Sequence, residues 1–125
     1  MWLMVKLERI HLEKKGLTKF FSPIEVRILE VLWKKPEITS SGIQRRCPDL
    51  SLACIAGTLN RLTKSGFVER ENEDEGGRMR FLYSPTTTRQ ETGMKISERV
   101  LESLVDTFGL SVMDAFGKIR RRRRQ

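Results

Sequence analysis

Nowhere in its 125 residues does the chain hold an 18-residue apolar run, so neither a membrane-spanning helix nor a membrane partner is expected. Histidine is scarce, with His11 alone, and the two cysteines, Cys47 and Cys54, stand seven positions apart without a second pair. That spacing fits no zinc motif, so no metal and no cofactor is expected. It leaves either two ordinary thiols or, since they lie close across a turn, a redox-sensitive pair. A glycine-rich phosphate loop is missing, as is any nucleophile paired with a base, and His11 sits in a charged segment; an enzyme is therefore not expected. The apolar start Met1-Trp2-Leu3-Met4-Val5 is too short for a secretory signal, and its charges, Lys6, Glu8 and Arg9, follow rather than precede it. A cytoplasmic location is the expectation.

What the chain does have is a wet, foldable composition, 38% apolar and 32% charged, with length for one compact core or a small module carrying a helical appendage. Its formal net charge of +8 is placed unevenly. Lys118 and Arg120 to Arg124 carry six of those charges and leave two for the rest. The arginine run reads either as a disordered solubilising tail or as a basic arm that gathers phosphates. With a nearly neutral body, function has to be argued from local pattern.

Residues 5–15 carry an imperfect apolar face that predicts a helix ended by Gly16. Ser22-Pro23-Ile24-Glu25 is a stronger start, with a cap serine, proline at the first helical position and glutamate at the third. Ile24, Ile28, Val31 and Leu32 then recur at helical spacing, and Pro36 stops the run. Ile38 predicts a brief extended residue before a short helix from about Ser40 to Arg46, which buries Ile43. Ser51 caps a third helix with a stripe of Ile55, Leu59 and Leu62, and Gly66 suits its end. Two strands follow, 67–71 and 78–83, joined through Asp74-Glu75-Gly76-Gly77. Thr88 with Glu91 opens a long helix broken at Gly109, and Ser111 is placed to cap a last one.

A helix followed at once by a charged β-hairpin predicts a winged helix-turn-helix, whose third helix has an apolar back and a front shaped for the major groove. That front comprises Ser51, Ala53, Cys54, Gly57, Thr58, Asn60, Arg61 and Lys64. Ser51 and Thr58 are candidates for phosphate or base contacts, Asn60 for reading adenine, and Lys64 for a phosphate. Small residues in the middle turn predict sparse base readout and van der Waals contact with thymine methyl groups. Arg61 reads either as a brace to Glu25 or Glu30 or as a phosphate contact. Arg78 and Arg80 share one hairpin face and either meet the DNA backbone or minor groove or pair across the strands with Glu69 and Glu71. Arg45 and Arg46 are phosphate candidates or surface charge. Ile96, Val100, Leu101, Leu104, Val105, Phe108, Val112 and Phe116 make the C-terminal helices too apolar for water. Burial against a second copy is expected, the alternative being a monomer whose helices fold back on their own domain.

On these residues the chain resembles the BlaI/MecI-like penicillinase repressors, a family with copper-responsive relatives. The likeness rests on Ser22-Pro23-Ile24-Glu25 with Ile28 to Trp33, on Ile55, Leu59, Arg61-Leu62, Lys64 and Gly66-Phe67, and on Gly77-Arg78 through Phe81-Leu82-Tyr83-Ser84-Pro85. It implies a homodimeric repressor on an inverted repeat of double-stranded DNA, with the third helix in the major groove and the wing beside it. Ala53, Cys54, Ala56 and Gly57 replace the polar residues such a recognition helix carries, and the C-terminal half holds no cysteine. The fold class expected is mainly α with a small β-hairpin, a winged helix-turn-helix plus C-terminal dimerisation helices. Its parts are an N-terminal extension (1–20), a DNA-binding domain (21–85), a helical dimerisation region (86–117) and a basic tail (118–125). A winged-helix module for protein interaction or RNA association, without specific DNA recognition, is the alternative.

Overall fold

The computed structural model describes residues 9–124, and of Glu75 the backbone alone. Five helices and one hairpin follow in the order α1 (Pro23–Lys34), α2 (Ser40–Arg46), α3 (Leu52–Lys64), β1 (Val68–Glu75), β2 (Arg78–Pro85), α4 (Arg89–Phe108) and α5 (Val112–Arg123). Local chemistry sets their starts. Ser22 Oγ accepts from the Glu25 N–H while Glu25 Oε1 accepts from the Ser22 N–H, a full capping box before Pro23. Thr88 and Glu91 repeat that box at α4, and Thr39 and Ser51 cap α2 and α3. Gly66 (φ 87°) and Gly109 (φ 86°) follow α3 and α4.

The core is where the apolar stripes meet. Ile28, Leu29 and Leu32 of α1, Ile43 of α2 and Ile55, Leu59 and Leu62 of α3 are all essentially inaccessible to solvent. Phe21 closes one side, its ring edge-on to Phe67 at 4.8 Å between centroids. Ile38 exchanges both backbone hydrogen bonds with Tyr83 (3.0 and 2.9 Å), so the segment before α2 adds a one-residue rung to β2. Gly42 lies against that rung. A Cβ there would come within 2.6 Å of Ile38 Cγ1, so the close approach of α2 requires glycine.

Several expectations need correction. Residues 5–8 lie outside the described residues, and 9–15 form no helix, with a single turn at Leu12 and Glu13. The His11 N–H donates to Lys19 O at 2.7 Å, folding this stretch onto a single 3-10 turn, Gly16–Lys19. The hairpin is longer and its turn tighter than expected. Gly76 and Gly77, both at positive φ (62° and 84°), make a two-residue turn, so β1 continues to Glu75. Ser111 makes no capping bond. Its backbone is already helical, and its hydroxyl reaches back to Phe108 O. The basic residues 118–123 are not a disordered tail but the continuation of α5, since no proline or glycine follows Gly117 to stop it and arginine favours helix.

Candidate nucleic-acid interface

Helix α3 has two unlike faces. Ile55, Thr58, Leu59 and Leu62 are buried, whereas Ala53, Ala56, Asn60, Arg61 and Lys64 are exposed, with Leu52 45% exposed at the start. Cys54 and Gly57 lie half-buried on the border. Ser51 is exposed, but its Oγ accepts from the Cys54 N–H at 3.0 Å and so serves first as the cap. Thr58 does not belong to the front. It is 0% exposed, and its Oγ1 donates to Cys54 O at 2.9 Å. The back-bond to the preceding turn satisfies the hydroxyl inside the core, which lets threonine occupy a position that polarity alone assigns to the surface.

Thr58 Oγ1 also accepts from Arg61 Nη2 at 3.1 Å. Arg61 therefore lies along its own helix, with Nη1 3.9 Å from where a Cβ on Gly57 would stand. It braces neither expected carboxylate: Glu25 accepts from the Ser22 N–H, and Glu30 pairs with Arg89. The half-exposed Arg27 instead ties α1 to the loop before α3 through a two-pronged bond to Asp49, 2.7 Å on each side. That bond holds the Asp49 carboxyl at about 2, well below its ordinary value, and raises the Arg27 guanidinium.

Cations gather between α2 and the hairpin. Arg45 and Arg46 at the end of α2 and Arg80 of β2 line one groove of about 250 Å³, joined there by Lys35. In the hairpin, Arg80 stands opposite Glu73 and pairs with it at 3.2 Å. Glu69 faces Ser84 and Glu71 faces Leu82, so neither is the cross-strand partner expected from the sequence. Arg78 is exposed next to the turn. On the other hairpin face Arg70 covers the Phe81 ring at 4.4 Å, while Met79 stays 65% exposed beside Ser40, Ser41 and Arg45 of α2.

The apolar residues of α4 and α5 fall into two groups. Ile96 is buried in the core of its own domain and Val100 packs on that core, so Ile96 is not available to a second copy. Leu101, Val105 and Val112 are half-buried, whereas Leu104, Phe108 and Phe116 are exposed. Met94 and Leu110, exposed at 60% and 76%, extend this surface beyond the residues expected.

The penicillinase repressor family model matches residues 21–119. The chain belongs to the penicillinase repressor family. The match takes in every element from α1 through most of α5 and leaves out the N-terminal extension and the whole arginine run. No curated protein matches the chain. Solved structures show the same fold at low identity. A possible transcriptional regulator from Methanosarcina mazei Go1 is 12% identical over 75% of this chain and 78% of its own, with a TM-score of 0.57. A probable transcriptional regulator from Pseudomonas aeruginosa is 19% identical over 86% and 81%, with a TM-score of 0.52. Streptococcus pneumoniae FabT, solved in complex with DNA, is 19% identical over 86% and 76%, with a TM-score of 0.50. As a penicillinase repressor family member with this architecture, the protein is a winged helix-turn-helix regulator of transcription that binds DNA, and not an enzyme. Among the described residues, no helix is long and apolar enough to cross a membrane.

Proposed function

We propose that the protein acts as a homodimeric repressor on an inverted repeat, with α3 of each protomer in the major groove and the β1–β2 hairpin beside it as the wing. The observation that carries this reading is the division of α3. Its back is sealed into the core at Ile55, Leu59 and Leu62, while Ala53, Ala56, Asn60 and Lys64 form a continuous open front. Asn60 is the one amide on that front and is assigned to a base edge; Lys64 takes a phosphate. Ala53 and Ala56 bring the helix close to the groove floor, where they contact thymine methyl groups. Arg45, Arg46, Arg78 and Arg80 supply further phosphate contacts on the flanks. Leu104, Phe108 and Phe116 pair the protomers and space the two α3 helices on the repeat.

The acidic strand β1, with Glu69, Glu71, Glu73 and Asp74 near the tip, favours a second reading. In it the wing faces a protein or RNA and the chain has no specific operator. The deciding experiment is binding of the purified protein to DNA fragments tiled across its genomic neighbourhood, with excess competitor DNA, beside its mass in solution. A dimer retained on one palindromic fragment supports the proposal. Weak binding everywhere that vanishes with competitor overturns it in favour of the second reading.

A further inference from the structure

The outer side of α4 carries a regular acidic ridge. Glu98, Glu102 and Asp106 recur every four residues, all exposed, along roughly 12 Å of helix. They border a groove of about 850 Å³ whose apolar lining includes Leu101 and Val105 of α4 and Met113 of α5. Helix α5 carries the complement. Its apolar stripe, Val112, Phe116 and Ile119, runs straight into Arg123 at the next helical repeat, with Arg120 and Arg122 on either side. Phe116 and Ile119 are each 48% exposed, and Arg120 to Arg124 all face solvent. None of the ion pairs among the described residues involves the acidic ridge or this arginine run.

We infer that the α4 groove is the seat of α5 from a second copy of this chain, and that the partner's arginine run closes on the acidic ridge as an electrostatic latch. Charge and apolar pattern agree on this occupant. A stripe of Val112, Phe116 and Ile119 ending in Arg123 fits a groove floored by Leu101 and Val105 and edged by three carboxylates. Two-fold symmetry makes the contact twice. The arginine run is thereby assigned to protein rather than to DNA phosphate. The inference rests on the homodimer proposed above and adds its register, its orientation and its sensitivity to salt.

The test uses two charge-reversed full-length variants, each measured by sedimentation equilibrium with circular dichroism to verify folding. One carries Glu98→Lys, Glu102→Lys and Asp106→Lys; the other carries Arg120→Glu, Arg122→Glu and Arg123→Glu. Each alone dimerises more weakly than wild type, by on the order of tenfold or more at low salt. Mixed in equal amounts they recover wild-type association, because both latches in the mixed dimer are then complementary. Wild-type association itself weakens as salt rises from about 0.05 to about 0.5 M. Three results overturn the latch: folded variants that associate as wild type does, a mixture no tighter than its components, or an arginine variant that loses only DNA affinity while its dimer constant holds. A wild-type monomer removes the homodimer reading and the latch with it; a salt-independent wild-type dimer removes the latch alone.

Discussion

Replacing Thr58 with valine separates a DNA contact from a core position. The side chain is 0% exposed, donates to Cys54 O at 2.9 Å and accepts from Arg61 Nη2 at 3.1 Å. Valine keeps the shape and loses the hydroxyl. The lost neutral hydrogen bond costs about 1 kcal/mol net, while Cys54 O retains its intrahelical acceptor role. A methyl group in place of the hydroxyl, among Ile55, Leu59 and Leu62, returns about 1 kcal/mol. Stability is expected to stay within about 1 kcal/mol of wild type, and Tm within about 5 °C. The bond to Arg61 ends near solvent, so releasing it changes little.

The DNA readout is what distinguishes the alternatives. A base contact at this position would be worth about 1–3 kcal/mol, or roughly tenfold to a hundredfold in Kd. From the buried position, operator affinity should change by less than about threefold. Lys64→Gln provides the contrast, weakening binding to all sequences and lowering the salt slope by about 0.9 per lost phosphate contact. Titration of operator and non-operator DNA at several salt concentrations, beside thermal unfolding, measures both. A Thr58→Val protein with wild-type Tm but a tenfold loss specific to the operator would refute the assignment of Thr58 to the core.

Trp33→Phe removes the Nε1–H bond to Thr87 O (3.0 Å) that ties α1 to the residues leading into α4. Thermal unfolding should show a loss of about 1–2 kcal/mol. Gly42→Ala places a methyl 2.6 Å from Ile38 Cγ1, inside the core rather than at the end of a flexible side chain. Denaturant titration should show a loss of about 1–3 kcal/mol, and a neutral result would mean that α2 can shift away from Ile38. The two-pronged bond from Arg27 holds Asp49 at about 2, below the unfolded value of about 3.9. The folded value is the lower one, so the stabilisation is present above about pH 4 and is lost as pH falls from there towards 2. Asp49→Asn should flatten that part of the acid-unfolding curve, by a small amount because the pair faces solvent, and should leave the shape of the stability curve above pH 5 unchanged.

The elements that sequence reasoning placed well are those whose signals act over three or four residues. Both capping boxes, Ser22–Glu25 and Thr88–Glu91, close within one helical turn, and the turn at Gly66 is equally local, so no distant partner can override them. Even the one-residue extension at Ile38 was legible, because Thr39 must cap α2 from an extended backbone. Where the outcome depends on a second surface, pattern falls short. Thr58 scores as polar, and only the back-bond to Cys54 explains how it enters the core. The Glu73–Arg80 pair depends on register, which a two-residue Gly76-Gly77 turn sets and a four-residue turn would shift. The stripe on α4 is a sharper case. Periodicity groups Ile96 and Val100 with Leu101, Leu104 and Phe108 as one apolar face. In the fold, the first two lean on the winged domain and the others turn away from it. One stripe thus splits into two groups, because on a 3.6-residue helix the mean direction of positions 96 and 100 lies about a quarter turn from that of 101, 104 and 108. The same geometry leaves the second group facing outward next to the acidic ridge, and that outward surface is the one assigned to a second copy in the proposed homodimer.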